Sequence, residues 1–173
     1  MSSSNQHTKG IDQMHPTKNT FPEKNRIQII GLLQEHLANA TDLMLNAKQA
    51  HWNVKGPSFI ALHELFDKVS EDTEDYVDLL AERIVQFGGI AEGTVRAAAK
   101  RTSLSEYPLT ISQGKDHVLA LSHSLAQYGE QTRTAIDKAD ELGDKATADI
   151  FTEISRGVDK YLWFVEAHTQ AQQ

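Results

Sequence analysis

The chain has 173 residues, with 17 lysines and arginines against 24 aspartates and glutamates, eight histidines, no cysteine and a net charge of −7. That length suits one domain with a sizeable core, and the lack of cysteine excludes disulfides and thiolate metal sites. The first ten residues, MSSSNQHTKG, hold no apolar leader, and no run approaches the roughly 18 apolar residues of a membrane span, so a cytoplasmic location and no membrane partner are expected.

Residues 1–24 read as a flexible N-terminal tail: Gly10, Pro16 and Pro22 stand among serines, threonines and asparagines with no hydrophobic period. Lys9, Lys18, Lys24 and, just past it, Arg26 face only Asp12 and Glu23, so a mildly basic arm leads into an acidic body. From Arg26 to about Val54 the residues Ile27, Ile30, Leu33, Leu37, Ala40 and Met44 recur at steps of three and four, which predicts a first long helix. Gly56-Pro57 stops it, Ser58 is placed to cap its successor, and nothing breaks a second helix before Phe87, where Gly88-Gly89 closes it.

A connector follows over 90–109, in which TVRAAAKRT suits a short helix and Pro108 a break. A third long helix over 112–142 turns Val118, Leu121, Leu125, Tyr128 and Ile136 inward. Gly143 ends it and Asp144 is the natural cap of a fourth, whose core residues are Ile150, Phe151, Ile154, Val158, Leu162 and Val165. No strand pattern competes, so the fold class is all-α: a ferritin-like four-helix bundle over 25–173 with a short extra helix in its long middle connection.

The second helix carries the chemistry. With about 100° per residue and His63 at zero, Asp67 falls near 40°, Asp78 near 60° and Glu82 near 100°, while Leu65, Phe66, Val69, Tyr76, Leu80 and Ile84 fill the opposite side. Glu71 and Glu74 share the polar stripe, so a plain solvated face accounts for the charges as a group. The spacings say more: His63 with Asp67, and Asp78 with Glu82, stand four apart, so each pair can offer two ligand groups to one point. His51 and Trp52 end the preceding helix. The two pairs lie about 16 Å apart along the axis, whereas paired metal ions sit roughly 4 Å apart, so one chain cannot gather both. Two copies crossing antiparallel about a two-fold axis can, and they create two equivalent sites.

The run AHWNVKGPSF, then LHELFD, then DYVDLLAERI resembles the signature of the Dps family, the DNA-binding proteins from starved cells, or miniferritins. The spacing of His51, His63, Asp67, Asp78 and Glu82, the WN-x-x-G turn, the AER tripeptide and the later LWFVEAH run all match, and the likeness covers the chain from about Ile27 onward. No glutamate is followed by histidine three residues later, so the Glu-x-x-His arrangement of di-iron sites inside a single bundle is missing.

The resemblance implies His51, His63 and Asp67 from one subunit and Asp78 and Glu82 from the other as ligands of a di-iron site. Zinc or manganese suits the same imidazole and carboxylate donors. It further implies a ferroxidase that oxidises Fe(II), preferentially with hydrogen peroxide, and stores Fe(III) as mineral in a hollow dodecamer built from two-fold dimers, protecting the cell and its DNA. Trp52 is then either a helix-end anchor or an oxidisable neighbour of the metal. Glu64, Glu71, Glu74 and Asp75 are candidates for a mineral-facing surface. Asp140, Asp144, Asp149 and Glu153 are explained as helix-start acids, or by the likeness as an acidic pore. DNA is a weak partner reached through the basic tails, with nucleoid association following from it. The alternative is a DNA-compacting or structural shell with little ferroxidase activity. His36, His117 and His123 read as surface or packing histidines.

Overall fold

The computed structural model describes residues 14–170. Five helices follow in order: α1 (Glu23–Asn53), α2 (Phe59–Gln86), α3 (Val95–Arg101), α4 (Gly114–Glu141) and α5 (Lys145–Gln170). The predicted long helices are all present, with ends within about three residues of expectation, and α3 is the short helix expected in the connector.

α1 packs on α2 and α4 on α5, and the two hairpins close through α1 against α4 and α2 against α5, with α3 laid on α1. Most of the expected inward residues form the shared core: Leu33 and Leu37 from α1, Phe66, Val69, Leu80 and Ile84 from α2, Leu121, Leu125 and Tyr128 from α4, and Phe151, Ile154 and Val158 from α5, whereas Ile27 and Met44 of α1 are only partly buried and lie outside it. Ile136, Ile150 and Leu162 pack on its margin and are only partly buried.

The turn between α1 and α2 is held from outside. Lys55 donates its N–H to the carbonyl of Ser112 (2.8 Å) and accepts from the N–H of Gly114 (3.0 Å), which pins the turn to the start of α4. The expected Ser58 cap is absent: its side chain makes no capping hydrogen bond, and the carbonyl of Gly56 closes the turn on the N–H of Phe59 (3.0 Å). Gly56 has φ +117°, a conformation that side chains disfavour, so the backbone itself does the work assigned to serine. Asp144 does cap α5, accepting from the N–H of Thr147 (3.1 Å). It is also buried against Arg83 of α2, whose guanidinium donates to both carboxylate oxygens at 2.8 and 3.0 Å.

Of the expected tail over 1–24, residues 1–13 lie outside the described residues. Residues 14–22 run along the end of α2: the N–H of His15 donates to the carbonyl of Gly88 (2.7 Å), and Phe21 stacks on Phe87 at 5.6 Å. Arg26, counted above among the basic groups of the arm, is buried and donates to the carbonyls of Phe21 and Phe87 at 3.1 and 3.0 Å. It caps the end of α2 and is withdrawn from any polyanion.

Candidate metal centre

The last turn of α1 and the first two turns of α2 meet at the pinned turn, and this brings His51 and His63 together. Their rings stack with centroids 3.7 Å apart and 20° between planes. Each Nδ1 faces the other residue's backbone carbonyl, His51 to His63 O at 2.8 Å and His63 to His51 O at 2.9 Å. A carbonyl only accepts, so each Nδ1 carries the proton and each Nε2 is left with a bare lone pair. Two imidazoles in that tautomer, stacked side by side, form a preorganised pair of nitrogen donors for a metal ion. Phe59 lies against His63, 5.1 Å between centroids.

Asp67 completes this half. Its Oδ1 is 3.9 Å from His51 Nδ1 and accepts a short hydrogen bond from the Lys48 ammonium. That hydrogen bond is the largest cause holding the Asp67 carboxyl below its ordinary pKa, with smaller electrostatic help from His51 and His63, so the group is ionised at neutral pH. Lys48 stands where a cation belongs. Its spacing of three and four from His51 and Trp52 puts all three on one side of α1, which is the signal in the sequence that marks it.

Asp78 and Glu82 lie farther along α2, exposed, and make no hydrogen bond or ion pair among the described residues. Asp78 stands eleven steps after Asp67, about 16 Å of helix rise. Among the described residues no three histidine, aspartate or glutamate side chains of one chain are close enough together to hold a metal ion. The predicted ligands therefore stand as two separate groups, a paired His51 and His63 near Asp67 and an exposed Asp78 and Glu82.

The other acids sort differently. Asp72 is spoken for by Lys68 (2.7 Å), Lys160 (3.5 Å) and the hydroxyl of Tyr161, and Glu71 by Lys68 at 3.4 Å. Glu64, Glu74 and Asp75 are exposed. The cluster at the start of α5 divides: Asp144 is a buried cap, whereas Asp140, Asp149 and Glu153 are exposed. His36 and His117 are packing residues, His117 hydrogen-bonded through Nδ1 with the Tyr107 hydroxyl at 2.9 Å, and His123 is at the surface. Trp52 is exposed beside the stacked imidazoles.

A ferritin-like domain profile matches residues 30–172. The DNA protection during starvation protein of Agrobacterium fabrum is 48% identical over 156 residues, 90% of this chain and 96% of that one. The chain belongs to the Dps family of ferritin-like proteins. Among solved Dps structures, that of Mycobacterium smegmatis in a tetragonal form superposes with a TM-score of 0.85 at 33% identity, covering 89% of this chain and 94% of that one. The Dps of Microbacterium arborescens, solved in a high iron form, gives 0.78 at 36% identity, covering 89% and 98%. The Dps assignment fixes the all-α bundle and agrees with the absence of Glu-x-x-His from the bundle helices. No helix among the described residues is long and apolar enough to cross a membrane.

Proposed function

We propose that this chain is a ferroxidase whose sites are shared between two copies, each built from His51, His63 and Asp67 of one copy with Asp78 and Glu82 of the other. The observation that carries the reading is the reciprocal hydrogen bonding of His51 and His63, which leaves both Nε2 atoms bare, with the ionised Asp67 carboxylate next to the His51 ring. Two imidazoles and three carboxylates suit Fe(II), and they accept Mn(II) or Zn(II) with the same donors. That the structure of a Dps relative is described as a high iron form supports iron as the substrate.

Two ferrous ions together give two electrons to one hydrogen peroxide, which takes up two protons and leaves as two waters. Paired oxidation thus avoids the one-electron step that would release hydroxyl radical. The chain's own part is electrostatic. Asp67 enters the reaction already ionised, and the Lys48 ammonium yields its place as the ferrous ion arrives. Asp78 and Glu82 add the negative charge that favours the ferric product. We take the ferric ions to collect as mineral inside a homo-oligomeric shell of twelve copies built from two-fold dimers. Peroxide is the preferred acceptor, and the protein works in the cytoplasm, shielding the cell and its DNA.

DNA contact is a minor activity in this reading, because Arg26 is buried and only Lys9, Lys18 and Lys24 remain on the arm of an acidic chain. The shared site is tested by mixing a His63→Ala chain with an Asp78→Ala chain after dissociation and reassembly. Each alone oxidises Fe(II) with peroxide at the buffer rate. Random mixed dimers regain about a quarter of the intact sites, since one site of each mixed pair receives both unaltered halves. Failure of the mixture to recover activity overturns the shared site, and full activity in either variant alone overturns the ligand set.

A further inference from the structure

A cavity of about 670 Å³ opens between α1, α4 and the connector that carries α3, and none of the proposed metal ligands lines it. Its size falls within the roughly 300 to 1,000 Å³ of small-molecule sites. Its walls are tied together. Gln34 donates to the carbonyl of Ile90 (2.6 Å) and accepts from the N–H of Glu92 (3.1 Å), and Asn39 accepts from the N–H of Ser103 (2.9 Å) and donates to Gln131 Oε1 (2.8 Å). Arg101 pairs with Glu92 at 2.7 Å. These groups are spent on holding the connector and α4 to α1.

Five polar groups of the lining remain unspent. Glu35, Glu130, Lys100 and Lys138 are exposed at the mouth and make no ion pair among the described residues. His36 is buried at the lining, and its Nδ1 has no hydrogen-bond partner there, which is costly for a buried polar atom. Burial, helped by Lys138, keeps that ring neutral, so Nδ1 can turn either a proton or a lone pair to a ligand. Two free charges of each sign favour neither a plain anion nor a plain cation. Along α4, Glu130 and Lys138 stand eight residues apart with Thr134 between them, about 12 Å of helix rise. An extended peptide of three residues spans roughly 10 Å, carries one charge of each sign at its ends and offers amide donors and acceptors between them.

We propose that this cavity binds a short peptide with free ends, about three residues long, with its carboxylate at Lys138, its ammonium at Glu130 and a backbone amide on His36 Nδ1. Glu35 and Lys100 keep the mouth neutral around it. Gly31 belongs to the same design: a Cβ built on it meets no atom within 4 Å, so the missing side chain leaves open space in the cavity wall. A glycine inside a long helix costs stability, and room for a ligand is a reason to keep one there.

The test is calorimetric titration of the full chain, without added metal, with trialanine and with N-acetyl-trialanine amide, which lacks both end charges. Trialanine binds once per chain with Kd below about 1 mM, and the capped peptide binds at least about fivefold more weakly. Gly31→Leu fills the cavity while suiting the helix better than glycine, so the chain stays folded and trialanine affinity falls at least about tenfold. His36→Phe keeps an aromatic ring in place and lowers the affinity about fivefold. Glu130→Gln and Lys138→Met, both at exposed positions, each lower it about threefold and leave the capped peptide unaffected. No saturable binding of trialanine, equal affinity for the two peptides, or any of these variants binding trialanine as the unaltered chain does overturns the proposal.

Discussion

The two ends of the polar stripe on α2 are built from similar residues and solve opposite problems. At the histidine end every group has a partner in its own chain: imidazole Nδ1 atoms are tied to carbonyls, and Asp67 is tied to Lys48. At the other end Asp78 and Glu82 have none among the described residues. The first half is held by hydrogen bonds within its own chain, and a metal there would take the place of the Lys48 ammonium. The second half is two exposed carboxylates, four residues apart on one helix, that face solvent. In the proposed reading, the second copy supplies the carboxylates that the histidine end lacks.

Breaking the comparison at either end has the largest effect. Asp78→Ala and His63→Ala each lower peroxide-driven Fe(II) oxidation by about a hundredfold or more, followed as ferric absorbance, with the assembled mass unchanged. An equal loss from opposite ends of the stripe marks one shared site; a loss at the histidine end alone marks a site complete within the protomer.

A control histidine lies outside both ends. His36 is 4% exposed, between Tyr128 and Phe151, and its pKa falls from 6.5 to about 4, first through burial and then through Lys138. The folded chain therefore keeps His36 neutral where the unfolded chain takes a proton. Its contribution is present above pH 6.5 and is lost as the pH falls from there toward about 4. The penalty between pH 7 and pH 5 is about 2 kcal/mol. His36→Phe removes that share of the acid sensitivity in denaturant titrations at the two pH values, while His63→Ala, at the half-exposed site, leaves it in place.

Two smaller effects sharpen the contrast. Lys48→Met removes the resident cation from Asp67, whose carboxyl pKa rises toward the ordinary range, and raises affinity for a divalent metal by about fivefold in calorimetric titration at neutral pH. The smallest effect is spectroscopic. Nitrogen-15 spectra of the imidazoles place the proton on Nδ1 of His51 and His63 in the isolated protomer, and assembly leaves that tautomer unchanged, because the carbonyls that fix it belong to the same chain.

Much of this was legible from one sequence. Helical period alone put His63, Asp67, Asp78 and Glu82 on one stripe, and the rise per residue alone separated them into two halves. Glycine and proline gave the breaks, and Asp144 its cap. Lys48 was passed over because a lysine on a helix reads as solvated until the carboxylate beside it is known. Arg26 was counted with the tail because its acceptors, the carbonyls of Phe21 and Phe87, are backbone atoms that no residue code reveals. Ser58 had the right chemistry for a cap and lost to the carbonyl of Gly56.

By itself the sequence determined what local geometry determines: which residues share a helix face, how far apart they lie, and that one helix cannot close the site. Those quantities follow from fixed angles and rises that every α-helix has. Only the tertiary structure decided which nitrogen of each histidine is bare and which cation holds Asp67. Those depend on two helices meeting across a turn at hydrogen-bond distance, and no spacing along one helix contains that distance.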